Sequence, residues 1–376
     1  MPSTMEITAR ILSGQGIIRH STTVYEFGQP MYDLKDEYVL KILKFLQILK
    51  CEVDKYYIEE LERSTNYEDL YFLASQIHDS ESGEYDNPAI QPLIDKIAHD
   101  IEPLLIGNYI ETPMKRIIEI AREATHYIED IVWNFLRKNP SQCSHLAWLT
   151  DTCFDDSQVN IDIFTINHDT VLEHCLRENN IEFVDGFGNS LNGVRYWDPK
   201  LYETKSSGRV KLIKIHGSVD WFRLRSQHND GIVERIGIPL NGDFEHTKDP
   251  DGNPQSAVES RPIILVGTLN KLLQYTNWIY AELYNQFRKS LRDCNALVVS
   301  GYSFGDKGIN SSVIEWIDEE VGHKAVIIHP HQERLRDKSR PAISKSWDKW
   351  AAQNKIRFIN KKVEQTSWKE ISSTLV

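Results

Sequence analysis

The sequence predicts an α/β fold: a parallel sheet covered on both faces by helices, with a helical insertion over residues 34–145. Three observations predict it. Apolar residues recur at helical spacing through the insertion, short apolar runs alternate with helical patterns from about Val159 onward, and several runs feed straight into a helix, as in IDIFTINHDTVLEHCLREN. The composition agrees. With 40% apolar and 10% aromatic residues, disordered and low-complexity classes are excluded, and 376 residues can bury a large core without disulfides.

In the insertion, VLKILKFLQILKCEV places Val39, Ile42, Leu43, Leu46 and Leu49 on one helical face. Further helical patterns run over Asn66 to His78, Pro88 to Gly107 and Pro113 to Arg137. Asn139-Pro140 stops the last of them, because proline has no amide hydrogen to donate. The α/β core then comprises 1–33 and 146–376, and the whole chain reads as one domain. Its strands are expected at Ile161 to Thr165, Lys211 to Ile215, Pro262 to Val266, Ala296 to Ser300, Ala325 to Ile328 and Ile356 to Ile359. Gly237 to Gln255, polar and rich in Gly, Pro and Asp, reads as a long surface loop. Arg334, Arg336, Lys338 and Arg340 alternate with Glu333 and Asp337, as on a solvated helix.

Charge and cysteine usage exclude several function classes. Lys plus Arg number 43 against 55 Asp plus Glu, a net charge of −12 that repels a phosphate backbone, so direct nucleic-acid binding is not expected. The cysteines Cys51, Cys143, Cys153, Cys175 and Cys294 form no C-x-x-C pair, so no tetrahedral zinc ribbon can be built from them. Each is expected to be a buried, reduced thiol. The opening residues MPSTMEITAR lack the basic and apolar regions of a secretory leader, and no apolar run approaches membrane-spanning length. A soluble cytoplasmic protein without a membrane partner is expected.

Four constellations could carry chemistry. The first is Thr165-Ile166-Asn167-His168-Asp169, a turn after a strand, followed by Thr170-Val171-Leu172-Glu173, which has the pattern of a capping box. Turns at the carboxyl ends of parallel strands are where open α/β sheets bind ligands. The second is His216-Gly217, where a strand ends in an imidazole whose chemistry suits a general base near neutral pH. In the third, Gly301-Tyr302-Ser303-Phe304-Gly305-Asp306, glycines would let a loop approach a nucleotide while Ser303 and Asp306 offer hydrogen bonds to it. The fourth is His329-Pro330, closing another strand at the same edge. Taken singly, each motif also has a purely structural explanation in turn geometry or packing.

The ordered set resembles the sirtuin-like (silent-information-regulator-type) NAD-binding family, in its bacterial NADase, anti-phage defence branch rather than its protein-deacetylase branch. The segment RPIILVGTLNKLLQYTNWIYAELYNQFRKSLRDCNALVVSGYSFGD, with Asn270-Lys271 and Trp278, is similar too, and the resemblance spans roughly Phe154 to Val363. It implies a Rossmann-like sheet and NAD as substrate, cleaved to nicotinamide and ADP-ribose. It also implies roles. Asn167 would orient a water or the nicotinamide ribose, Asp169 would support the ribose, and His216 would be the base. Thr165 and Gly301 would line the nucleotide, and Ser303, Asp306 and His329 would hold its adenosine half. A homo-oligomer is implied, with a sensing partner such as a hexameric ATPase or an Argonaute-like protein.

Two departures from the family pattern matter. Deacetylating relatives carry a four-cysteine zinc module between the His-Gly strand and the Gly-rich strand, whereas Asp220 to Asn295 holds only Cys294. No zinc is expected, and hydrolysis is favoured over deacetylation. The family also opens on a strand and a Gly-Ala-Gly-x-Ser loop that receives the pyrophosphate, and neither is found here. Gly14-Gln15-Gly16 comes after a helical pattern and is no substitute, while Pro2-Ser3-Thr4-Met5-Glu6 is similar to the residues just after that loop in relatives. The expectation is a longer natural chain, with the loop supplied ahead of Met1. Two other readings stay open: a catalytically weak nucleotide-binding or assembly subunit, and an ADP-ribosyltransferase.

Overall fold

Helical spacing and strand runs become two compact units in the computed structural model: Met1–Lys138 with Ile264–Asn270, and Asn139–Ile263 with Lys271–Val376. The structure describes residues 3–19, 24–28, 37–61, 63–83, 87–105, 116–138, 143–203, 208–228, 231–267, 275–276, 278–319 and 322–375, with 58–61 described for the backbone alone. Met1-Pro2, Asn139-Pro140 and the Asn270-Lys271 pair lie outside the described residues. Among the described residues, no helix is long and apolar enough to cross a membrane.

The first unit is built on amphipathic helices: α1 (Thr4–Ser13), α2 (Glu37–Leu61), α3 (Tyr67–Ser82), α4 (Gln91–Ile101) and α5 (Ile117–Leu136). Ser3 and Glu6 form a reciprocal capping box at the start of α1, and Gly14 ends it in the left-handed conformation. The expected face of α2 buries Val39, Ile42, Leu46 and Leu49, joined by Phe45, while Leu43 is half-buried against Gly14. Strands β1 (Ile17–Arg19) and β2 (Tyr25–Phe27) pair antiparallel. Polar bonds in the core tie β2 to α5. The Tyr25 amide donates to Asp130 at 2.9 Å, the Tyr25 hydroxyl to Glu123 at 2.6 Å, and the Asn134 amide to the Tyr25 carbonyl at 3.0 Å. The elements α1, β1 and β2 therefore group with the helices, whereas the sequence suggested that 1–33 belong to the α/β core.

The second unit holds the parallel strands. After α6 (Ala147–Phe154), β3 (Ile161–Thr165) leads into α7 (Val171–Glu178) and pairs in parallel with β6 (Val210–Lys214). A second parallel set comes after α8 (Trp278–Asp293): β11 (Ala296–Ser300), β12 (Lys324–Ile328) and β13 (Ile356–Ile359) in that spatial order. Helices α9 (Lys307–Glu319), α10 (Gln332–Lys338), α11 (Pro341–Ala352) and α12 (Trp368–Leu375) alternate with these strands. The solvated basic helix expected near Arg334 is α10, which buries only Leu335. Trp148 packs against both cores, beside Ile163 and Leu212 under the first pair and beside Val326 and Ile328 under the second set. The Rossmann-like α/β class holds, with its parallel strands in two sets.

Between β3 and β11 the chain inserts an antiparallel sheet that the sequence reading did not contain. Its strands are β4 (Phe187–Leu191), β5 (Val194–Trp197), β7 (Gly217–His228), β8 (Gly231–Pro239), β9 (Thr247–Lys248) and β10 (Pro254–Ile264), in the order β4-β5-β8-β7-β10-β9. Two expectations are corrected here. Gly237 to Gln255 is not one long loop: Gly237, Ile238 and Pro239 pair with Tyr196, Arg195 and Val194, and β9 pairs with Pro254 and Gln255. Proline is tolerated at these positions because it ends one strand and starts another. The run expected as a parallel strand from Pro262 is the tail of β10. The cysteine expectation is corrected in part, since Cys51 is exposed and Cys143 and Cys294 are half-buried, while Cys153 and Cys175 are buried.

Gly186 seats this sheet. It sits at φ 80°, and a Cβ there would lie 2.2 Å from Trp197 Cζ3 and 2.8 Å from Tyr202 Cε2. Gly186→Ala is expected to destabilise the second unit by about 2–4 kcal/mol, combining left-handed strain with overpacking. Urea unfolding checks this, and a midpoint equal to that of the wild type would refute it.

Candidate functional site

The site forms where β3, β6, β11 and β12 end. Because Thr165 pairs in register with Lys214, the turn after β3 and His216 leave the first sheet at the same edge. Ser300 pairs with Ile328, so Gly301 and His329 leave the second set together. The two edges meet, since Asp306, in the loop after β11, reaches His216.

The turn 165–169 is fixed by its own hydrogen bonds and by a buried cation. The Asn167 amide donates to the Thr165 hydroxyl at 3.0 Å, and Asn167 is exposed. Asp169 is buried, and its carboxylate accepts the Val171 amide at 3.0 Å. The expected Thr170–Glu173 capping box is corrected: the Thr170 side chain caps nothing, and Glu173 turns inward to Lys214 at 2.9 Å. Lys214 also donates to the carbonyls of Asp169 and His168. The His168 carbonyl further accepts the Val219 amide at 2.9 Å and the Ser218 hydroxyl at 3.3 Å. Burial raises the Glu173 pKa, with Lys214 opposing it and nearby Asp220 reinforcing it.

His216 is 1% exposed. Its Nε2 lies 2.6 Å from the Tyr275 hydroxyl and 3.3 Å from Asp306 Oδ2, and the Tyr275 hydroxyl donates to that same oxygen at 2.9 Å. Gly217, at φ 78°, lets the chain turn immediately after the imidazole. Asp306 Oδ1 accepts the Ile309 amide at 3.0 Å in the first turn of α9, which fixes the carboxylate. Burial works to raise the pKa of Asp306, but His216, the Ile309 amide and Tyr275 outweigh it and bring it down to about 2. Burial and then Asp306 push the Tyr275 hydroxyl well above its ordinary pKa, so it stays protonated. Tyr275 stacks on Tyr284, with ring centroids 4.5 Å apart.

The structure brings two of the sequence-derived site residues into direct contact, His216 and Asp306. Asn167 and Ser303 are exposed, Thr165 and His329 half-buried, and Gly301 sits exposed at φ 68° with open space where a Cβ would point. His329 is engaged locally, its Nδ1 3.0 Å from the His331 amide. Asp306 faces the imidazole. Two participants were missed, Tyr275 and Lys214. Lys214 ends β6 two residues before His216, and a lysine inside an apolar run was the available signal. Trp278, singled out in the sequence, is 53% exposed, and the Arg223 guanidinium lies 5.2 Å from its ring centre.

The SIR2-like domain family model matches residues 162–359, from β3 through β13. The chain belongs to the SIR2-like domain family. No curated protein matches it. Members of this family are NAD-dependent enzymes, so an NAD-related enzymatic function is indicated, with NAD as substrate. The match begins at the strand that presents Asn167 and takes in the His216, Gly301–Asp306 and His329 loops. Among the described residues, no three His, Cys, Asp or Glu side chains converge as a metal-binding group.

Proposed function

We propose that this SIR2-like chain is an NAD glycohydrolase, releasing nicotinamide and ADP-ribose, and that it serves as the effector of a bacterial antiviral defence system. One observation carries the chemical part: an imidazole held by a carboxylate lies at the same sheet edge as the exposed amide of Asn167. Nicotinamide leaves a cationic glycoside as a neutral molecule, so its departure needs no acid. The ribosyl cation then needs alignment, a positioned water and a base. Asn167 orients the water or the ribose, and His216 takes the proton. Thr165, Gly301, Ser303 and His329 line the rest of the nucleotide, and Asp169 supports the turn. Self-assembly and a sensing partner belong to the same reading.

The full chain incubated with NAD is expected to release nicotinamide, resolved by chromatography, with ADP-ribose in equal amount. NAD recovered intact, with the partner present or absent, refutes the proposal. The near-complete burial of His216 favours a second reading, a nucleotide-binding subunit of low turnover. Binding of ADP-ribose without nicotinamide release would select it.

A further inference from the structure

We propose that Arg340 is a substrate-binding residue that holds the diphosphate of the dinucleotide. The inference rests on the reading of this sheet edge as a nucleotide site, and it begins from charge. A dinucleotide brings an anionic diphosphate to a chain whose own net charge is −12, so binding needs a local cation. Lys214 cannot supply it, because it is buried against Glu173 and the carbonyls of His168 and Asp169. His216 is buried too and lies against Asp306. Around the second set of strands, Arg336 pairs with Asp337 and Asp348, Lys349 with Asp318 and Lys361 with Glu370. Lys307, Arg334 and Lys338 are exposed. Arg340 differs from all of these: it is half-buried, and among the described residues no carboxylate forms an ion pair with it.

The Gly301–Asp306 loop places Arg340 at the site. Arg340 Nε donates to the Gly305 carbonyl, and the Arg340 amide donates to the Phe304 carbonyl at 3.4 Å. Gly305 is followed by Asp306, whose carboxylate lies 3.3 Å from His216 Nε2. One peptide therefore separates the residue that holds the guanidinium from the residue that meets the imidazole. Burial and then Asp306 raise the pKa of the Tyr302 hydroxyl, and Arg340 acts against them, as a cation beside this loop does. Arg340 stands at the N-cap of α11, but its side chain caps nothing there. With Nε engaged, both Nη groups are left to donate, in the fork that matches phosphate oxygens. The loop leaves room for the ligand. Gly301 and Gly305 are exposed, a Cβ on Gly301 would meet open space, and one on Gly305 would meet only Ser303 Oγ, at 3.4 Å. Asp306, the carboxylate of this loop, is turned inward to His216, so it neither neutralises Arg340 nor repels a phosphate.

The test is calorimetric titration of the full chain with ADP-ribose. Arg340→Gln keeps a donor for the Gly305 carbonyl but removes the charge, and it is expected to weaken ADP-ribose binding by about 10- to 100-fold at low salt. High salt screens the pairing, so the wild type loses affinity there and the gap to Arg340→Gln narrows. Arg340→Lys, which restores the charge without the fork, is expected to recover part of the affinity. Inorganic diphosphate should displace ADP-ribose from the wild type, and do so about tenfold less effectively from Arg340→Gln. An Arg340→Gln protein that binds ADP-ribose like the wild type overturns the inference. So does a loss of equal size at low and high salt, which would make Arg340 a strut for the loop, and so does a wild type that binds no ADP-ribose. If Arg340→Gln fails to fold, a wild type that inorganic diphosphate does not displace overturns it. Nicotinamide release separates this inference from the hydrolase reading. A chain whose ADP-ribose binding needs the Arg340 charge, but which releases no nicotinamide, refutes the hydrolase reading and supports this one. A chain that releases nicotinamide with the same KM for NAD in Arg340→Gln as in the wild type does the reverse.

Discussion

His216→Gln is expected to reduce nicotinamide release by about 1,000-fold, near the middle of the range for removal of a general base, while the protein keeps its fold. The glutamine amide is of comparable reach and can still meet the Tyr275 hydroxyl and Asp306, so the loss reports chemistry rather than packing. At about 1.4 kcal/mol per decade the loss corresponds to roughly 4 kcal/mol of transition-state stabilisation. Asn167→Ala, at an exposed position with little structural cost, is expected to lower kcat by about 100-fold, the scale of removing one polar group aimed at the reacting centre. ADP-ribose affinity separates the two roles. It is retained in His216→Gln, whose imidazole is buried, and weakened in Asn167→Ala if the amide also meets the ribose. Steady-state nicotinamide release, with near-ultraviolet circular dichroism as the fold control, checks both. A His216→Gln protein with wild-type turnover would remove the imidazole from the mechanism and with it the proposed route.

Much of this site was legible in the sequence, because its parts are local. A strand followed by the Asn167 turn, another followed by His216 and a Gly-rich loop after a third are each written in consecutive residues, and parallel pairing does the rest by bringing strand ends to one edge. What could not be read locally was pairing across distance. Tyr275 meets His216 across 59 residues of chain, and nothing in either segment names the other. That Asp306 lies beside His216 could not be read locally for the same reason. The Thr170–Glu173 pattern failed differently. A capping box stabilises a helix end by about 1 kcal/mol, whereas a buried Lys214 left without its carboxylate would cost several, so Glu173 went to the stronger demand. The antiparallel sheet was missed although its signals are present: Phe222, Leu224 and Ser226 are buried while the alternate Arg223 and Arg225 are not, and Asn229-Asp230-Gly231 is a hairpin sequence. The alternation is hard to see because arginines interrupt the apolar runs.

Lys214→Met is expected to destabilise the second unit by about 3–5 kcal/mol, the usual result of removing one member of a buried ion pair. The side chains of Lys214 and Glu173 are 3% and 6% exposed, so neither charge can turn to water when its partner is lost. Burial already raises the Glu173 pKa against the opposing influence of Lys214, and without the lysine it rises further. That direction sets the sign of the pH dependence. Protonation neutralises the stranded carboxyl, so the loss in Lys214→Met shrinks as the pH falls through the raised pKa and is largest above it. Removing both charges should recover most of the stability, so Lys214→Met combined with Glu173→Leu is expected to unfold close to wild type. Tryptophan fluorescence during urea unfolding suits the measurement, because every tryptophan except Trp133 lies in the second unit. The rescued double variant then isolates the second duty of Lys214, its bonds to the carbonyls of His168 and Asp169 beneath the Asn167 turn. It should be stable yet turn over NAD at least about tenfold more slowly, since small misplacements near the reacting atoms cost that much or more. A single variant within about 1 kcal/mol of wild type, or a double variant no more stable than the single, would show that the ion pair is not what holds this turn.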